Sequence, residues 1–422
     1  MIARIVTWAV EKRWLVLLLT VIVAAIGAFS LYRLPIDAVP DITNNQVQIN
    51  VRAPALSPEL VEKQVSFPIE TALAGTPGLE YTRSLSRNGF AQITAVFSDA
   101  TDIYFARQQV GERLRGVQEN LPDGVNPEMG PIATGLGEVY MYTVRLDHRE
   151  DDKHKPGEPG QQPDGSYITP EGERLTTEED KATYLRTAQD WIVTPLLKTT
   201  PGLAGVDSIG GYAKQFLVVP DVQKLASLGI TLTDLGNALE RNNTSVGGGF
   251  VNRNGEGLAV RSDALVRNAS ELARTVIATR NGVPITVEQV ATVKTGQAIR
   301  MGSASENGTE VVVGTAIMRI GENSRIVSTA VAEKLKTINA SLPPDVVIQP
   351  VLNRTELVNS TIKTVAKNLS EGAVLVIVVL FLLLGNFRAA LIAALVIPIT
   401  MMLTGFGMLR AGVSANLMSL VA

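Results

Sequence analysis

The chain has 422 residues, 38 Lys plus Arg against 41 Asp plus Glu, and a net charge of −3, a balance that gives no basis for nucleic-acid binding. It is too long for one ordinary domain, and with no cysteine it has neither disulfides nor thiolate metal sites. Its hydrophobic share of 45% is uneven, because the apolar residues gather at the two ends.

The first apolar run, Trp14 to Leu31, is uncharged over 18 residues. As a helix it is about 27 Å long, close to the hydrocarbon thickness of a bilayer. Lys12 and Arg13 precede it and keep its N-terminal side cytoplasmic. A cleaved signal peptide is the alternative, but the run is long for one and "AIG" after Ala24 is a weak cleavage site. Residues 1–33 therefore read as a cytoplasmic N-terminus and a first transmembrane helix. Arg33, Pro35 and Pro40 end it.

Residues 34–134 follow as a first folded unit. "QVQINV" is a strand. Ser57 caps a helix running to about Ala74, with Pro58 in its first turn and a bend at Pro68. "LEYTRSLS" and "FAQITAVF" are strands joined through Asn88–Gly89. Thr101 starts a second helix whose apolar positions are Ile103, Val110, Leu114, Val117 and Leu121. A strand near Met129 completes the order β-α-β-β-α-β, the ferredoxin-like unit.

A second copy follows. "TPGL" recurs at Thr76–Leu79 and Thr200–Leu203, and Leu-Pro ends a helical pattern at Leu121 and again at Leu342. Copy two uses "VYMYTVRL", a Tyr184–Lys198 helix, "AGVDSIG", "EVVVGTAIM", a Ser324–Leu342 helix and "VVIQPV". The matched order indicates a duplication. The second unit covers 135–210 and 300–352, with a charged, Pro/Gly-rich variable insertion at 147–183 expected to lack fixed geometry. Its two central strands are separated by an inserted domain, 211–299. Within that domain "NNTSVGGGFVNRNGEGLAV", residues 242–260, reads as a two-stranded arm that needs a partner surface, or otherwise as a disordered loop.

The membrane signal then returns. Residues 353–384 form a second transmembrane helix, 385–388 ("GNFR") a tight cytoplasmic turn, and 389–410 a third helix with Pro398 inside it. Residues 411–422 read as the start of a truncated fourth helix. Overall the fold class is α+β: transmembrane helices plus two ferredoxin-like subdomains, one carrying the insert.

Four stretches carry a family resemblance: "LPIDAVPDITN" (34–44), "ATDIYFAR" (100–107), "GPIATGLGE" (130–138) and "SANLMSL" (414–420). With the helix hairpin joined by "NFR", the chain resembles the first third or more of a resistance–nodulation–division efflux pump of the heavy-metal, cobalt–zinc–cadmium type. The resemblance implies a homotrimeric inner-membrane antiporter with a large periplasmic body. It would use the proton gradient to move divalent ions (zinc, cobalt, cadmium, nickel), need no cofactor, and work with a periplasmic adaptor and an outer-membrane channel. The two repeats would be porter subdomains, the insert a docking domain, and 242–260 the trimerisation arm.

Candidate site residues are few. The uncharged cores of the three spans hold no carboxylate, and the resemblance puts the proton relay beyond Ala422. His148 and His154 sit in "DHREDDKH"; they have the chemistry to hold a borderline metal, and equally belong to a solvated insertion. Glu138 opens a strand after a Gly-rich turn and either lines a cleft or faces water at an edge. Arg83 matches an arginine that borders the metal site in related pumps, where it would hold ligating carboxylates; alternatively it forms a surface salt bridge. Aromatics are 5% of the chain and thinly spread, which disfavours a multidrug pocket. Scattered methionines disfavour copper or silver export. A membrane-anchored secretion accessory subunit is the alternative from another class.

Overall fold

The computed structural model of the chain describes residues 2–34, 43–147, 155–253, 255–280, 282–300, 302–384 and 387–411. Most of the 34–44 motif, both histidines, Gly385 and Asn386, and the 412–422 stretch lie outside these residues.

Helix α1 (Ile2–Glu11) meets α2 (Arg13–Arg33) at Lys12, whose φ of −101° and ψ of 34° break the helix. Strand β1 (Asn45–Arg52) buries Val47, Ile49 and Val51 on one face and turns Gln46, Gln48 and Asn50 to the other. Ser57 caps α3 (Pro58–Val61), its Oγ accepting from Leu60 N at 3.4 Å. The helix is not regular up to Pro68. It widens into a five-residue π-turn, Glu62–Ser66, before α4 (Phe67–Leu73). Pro68 has no N–H to donate, and its ring would crowd the carbonyl one turn back; the wider turn relieves both. Next come β2 (Leu79–Arg87), β3 (Phe90–Phe97), α5 (Ile103–Val117) and β4 (Asn126–Met129), with Asp102 rather than Thr101 as the cap of α5. The strands lie in the order β2-β3-β1-β4, and every pair is antiparallel. Helix residues Val61, Val65, Ile69, Val110 and Leu114 complete one core with Val47, Ile49 and Val51.

The second unit starts at β5 (Glu138–Leu146). The expected shapeless insertion is folded from residue 155 onward. Strands β6 (Gly160–Gln161), β7 (Tyr167–Ile168) and β8 (Arg174–Leu175) make a small three-stranded sheet. Tyr167 anchors it: the side chain is fully buried, stacks 5.3 Å from Tyr184 and donates to Pro344 O at 2.9 Å. One buried aromatic with a satisfied hydroxyl overrides the polar composition around it. The following helix α6 (Glu178–Ala188) starts six residues before Tyr184 because Thr177 caps it. It too passes through a π-turn, Gln189–Val193, ahead of Pro195 in α7 (Thr194–Leu197), before β9 (Leu203–Ile209).

The insert runs from β10 (Lys214–Pro220) through α8 (Val222–Leu228), α9 (Leu232–Arg241), β11 (Ser245–Arg253), β12 (Glu256–Asp263), α10 (Ala269–Ala273), β13 (Val276–Arg280), β14 (Val283–Thr286) and α11 (Val287–Val290) to β15 (Ala291–Gln297). Its first and last strands pair with each other, so chain enters and leaves on one ribbon. Among the described residues β11 and β12 pair only with one another, and they expose Phe250, Val251, Leu258 and Val260.

Strands β16 (Ala304–Glu306) and β17 (Thr309–Met318), helix α12 (Ser324–Ser341) and β18 (Val346–Asn353) close the second sheet. Its order is β16-β17-β5-β18, with β9 also on β17. Gly314 of β17 faces Tyr142 of β5, and a Cβ there would lie 2.2 Å from the ring. β18 continues without a break into α13 (Arg354–Leu384). Helix α14 (Phe387–Ala411) begins inside the expected turn, taking Phe387 and Arg388 as its first residues, and runs through Pro398. Among the described residues, three helices are long and apolar enough to cross a membrane: Arg13–Tyr32, Arg354–Leu383 and Ala394–Ala411. α2 and α14 pack closely, since a Cβ on Gly27 would lie 2.6 Å from Met402 and one on Gly405 2.4 Å from Leu31.

Candidate functional site

The helices cover one face of the first sheet, and the other face is polar. Register places Arg83 of β2 beside Thr94 of β3, and Thr94 beside Gln48 of β1. The next row holds Leu85, Gln92, Asn50 and Glu128. Asn50 Oδ1 accepts from Gln48 Nε2 at 3.1 Å and from Gln92 Nε2 at 3.3 Å. Arg83 is exposed on this amide-rich face, and among the described residues it has no ion-pair partner. No group of three or more acidic or histidine side chains is placed to hold a metal among the described residues.

Glu138 lies on the other sheet, as the first residue of β5, opposite Ile317 of β17 beside a bulge. It is exposed, and its side chain has no hydrogen bond or ion pair among the described residues. The structure joins Arg83 and Glu138 by no contact of either kind. His148 and His154 lie outside the described residues.

An arginine that grips carboxylates does exist, at a position the sequence did not suggest. Arg145 of β5 reaches Asp147 at 2.5 Å and Glu306 of β16 at 3.2 Å, and Thr143 Oγ1 donates to the same Glu306 oxygen at 3.0 Å. Arg145 and Asp147 are i, i+2 at the end of β5, which was legible. Glu306 comes from the far side of the insert, which was not.

The resemblance motifs meet at the junction of the two sheets. Arg107 ends "ATDIYFAR", and its Nη1 donates at 2.8 Å to the carbonyl of Gly130, which opens "GPIATGLGE". Asn45 Nδ2 donates to Thr101 O. Asn44, Gln46, Ile103 and Arg107 border a crevice closed by Ile132 and Thr134, which follow β4, and by Ile320 of the second unit. Its volume is about 10 Å³, room for one water. Burial lowers the pKa of the Arg107 guanidinium from its usual value. The crevice offers amides, a hydroxyl and a cation, so it is a joint between units and not a metal site.

A model of the AcrB/AcrD/AcrF family matches residues 5–422. The nickel-cobalt-cadmium resistance protein NccA of Alcaligenes xylosoxydans xylosoxydans is 57% identical over 424 residues, covering 100% of this chain and 39% of that protein. The cobalt-zinc-cadmium resistance protein CzcA of Cupriavidus metallidurans is 49% identical over 422 residues, covering 100% of this chain and 38% of that protein. A crystal structure of a heavy metal efflux pump superposes with a TM-score of 0.82 at 31% identity, over 98% of this chain and 39% of its own. The chain therefore spans less than half the length of the relatives it matches. With its match running from residue 5 to residue 422, the chain belongs to the AcrB/AcrD/AcrF family, in the heavy-metal branch of the resistance–nodulation–division proteins.

Proposed function

We propose that this chain forms part of an inner-membrane antiporter that exports divalent heavy-metal ions against an inward flow of protons. The observation that carries the reading is similarity, along the whole of this chain, to part of two metal-resistance proteins whose names share cobalt and cadmium. Nickel and zinc, each named for one of them, are the next substrates. Two β-α-β-β-α-β units with strand order 2-3-1-4 support ferredoxin-like porter subdomains. The ribbon-mounted insert would be the docking domain. Its exposed β11–β12 hairpin would reach a neighbouring copy in a homotrimer, because a lone two-stranded hairpin is marginal in water. The partners would be a periplasmic adaptor and an outer-membrane channel. Residues 14–32, 372–384 and 389–409 hold no Asp or Glu, so the proton-carrying carboxylates of this reading lie elsewhere. Glu138 and Arg83 would border the ion path on their two sheets, and the His148/His154 segment would not.

The test is metal tolerance. The full-length pump, expressed in a metal-sensitive Gram-negative host with its adaptor and channel, should raise tolerance to cobalt and cadmium and leave copper and silver unchanged. Tolerance to copper or silver alone would favour the monovalent branch of exporters.

A further inference from the structure

Residues 130–137 form a strap between the two sheets, and the strap is held mainly through its carbonyls. Gly130 O accepts from Arg107 of the first unit, while Gly130 N donates to Gln48 O at 2.8 Å. Ile132 O accepts from Ile320 N at 3.1 Å and Gly137 O from Met318 N at 2.6 Å, both from the second unit. The fourth donor comes from neither sheet. Leu136 O accepts from Arg354 Nη1 at 2.6 Å, and Arg354 is the first residue of α13, the helix that runs into the second candidate span.

Arg354 is firmly seated. Only 8% of it is exposed. Its neighbour Asn353 accepts from Thr355 N at 3.0 Å and from the buried Ser328 Oγ of α12 at 2.9 Å, which pins the start of α13 to the second unit. Val358, one turn along, is fully buried. A charge-assisted bond from a seated arginine to a carbonyl is both strong and directional. The strap has little slack to absorb displacement: Gly137 N is already bonded to Thr134 O, and a Cβ on Gly137 would stand 3.0 Å from that oxygen.

We propose that Arg354 is a positioning residue that fastens the membrane helix α13 to the strap between the sheets, so that displacement of α13 resets how the sheets stand to one another. This rests on the pump reading, in which motion in the membrane must reach an ion path outside it. In this role Arg354 acts on the strap through Leu136.

The test uses the full-length pump in lipid nanodiscs and in vesicles under an imposed proton gradient, as Arg354→Met and Arg354→Lys. Met keeps the stem and removes the donors. Arg354→Met should speed hydrogen exchange at the Met318 and Ile320 amides at least tenfold. It should also lower the maximal rate of cobalt transport at least tenfold with KM unchanged. Arg354→Lys, a point donor without the fork, should fall between it and the parent on both readings. If Arg354→Met does not reach the membrane, Arg354→Lys decides: parental exchange and parental rate together would overturn the proposal. Unchanged exchange in Arg354→Met overturns the fastening. Faster exchange with an unchanged maximal rate overturns the role in transport. A parent protein that transports no cobalt would sink the pump reading instead, and the exchange measurement would still decide the fastening.

Discussion

Arg83 and Arg145 show how far a single side chain can be read from sequence. Resemblance assigned Arg83 the task of holding carboxylates; it stands exposed beside Thr94, with Glu128 in the next row of the same face and no ion-pair partner among the described residues. Arg145 is the arginine seen gripping two carboxylates, those of Asp147 and Glu306. Half of that grip was local and visible; the other half needed β16 to return beside β17 after the whole insert, and no periodicity encodes that. Glu138 has an exposed carboxylate with no ion pair among the described residues, which is what the proposed function asks of a group that draws in a cation. Glu138→Gln should lower cobalt tolerance of the intact pump roughly threefold to tenfold, since an exposed charge attracts a divalent ion with only modest energy. Arg83→Ala should act in the same direction and more weakly. His148→Ala with His154→Ala should leave tolerance at the parental level. Growth curves across a cobalt series, with immunoblots for membrane content, separate these outcomes; collapse in the double-histidine variant alone would reverse the assignment.

At the scale of elements, alternation and caps were legible and departures from regular geometry were not. The β1 alternation, the Ser57 cap and the Asn88–Gly89 hairpin appear as their chemistry dictates. Proline inside a helical pattern signals a break, but both units keep going through a π-turn, because a wider turn is less costly than ending a helix whose next residues are core. Ser66 and Gln189, one from each π-turn, bond to the sheet below: Ser66 Oγ to Ser86 Oγ at 2.8 Å, and Gln189 Nε2 to Ser208 Oγ at 3.1 Å. The folded 155–175 lobe was missed because composition averages over a charged stretch and loses its one anchor, Tyr167. The β11–β12 arm is the element whose role is easiest to test. Deleting Ser245–Gly255 should leave far-ultraviolet circular dichroism intact and shift the detergent-solubilised pump from trimer toward monomer in sedimentation. A trimer that persists at the same concentrations would mean the arm is only a surface hairpin.

For the molecule as a whole, composition divided the chain correctly into apolar ends and a mixed middle, because membrane helices carry the strongest signal a sequence offers. Hidden from it was the way the parts are joined. The strap, the ribbon of β10 with β15, and the β18–α13 junction are all contacts between residues distant in sequence or transitions without a breaker residue. The last of these carries a consequence about phase. With no residue between Asn353 and Arg354, the angular setting of the membrane helix is locked to the pleat of a strand. One alanine inserted there would rotate everything beyond it by about 100° and advance it about 1.5 Å. Four would bring the helix almost a full turn round, to within roughly 40° of its original setting. Cobalt tolerance of the full-length pump across insertions of one to four alanines should therefore fall at one and two and recover in part at four. A monotonic fall would mean that distance, not orientation, is what the junction transmits.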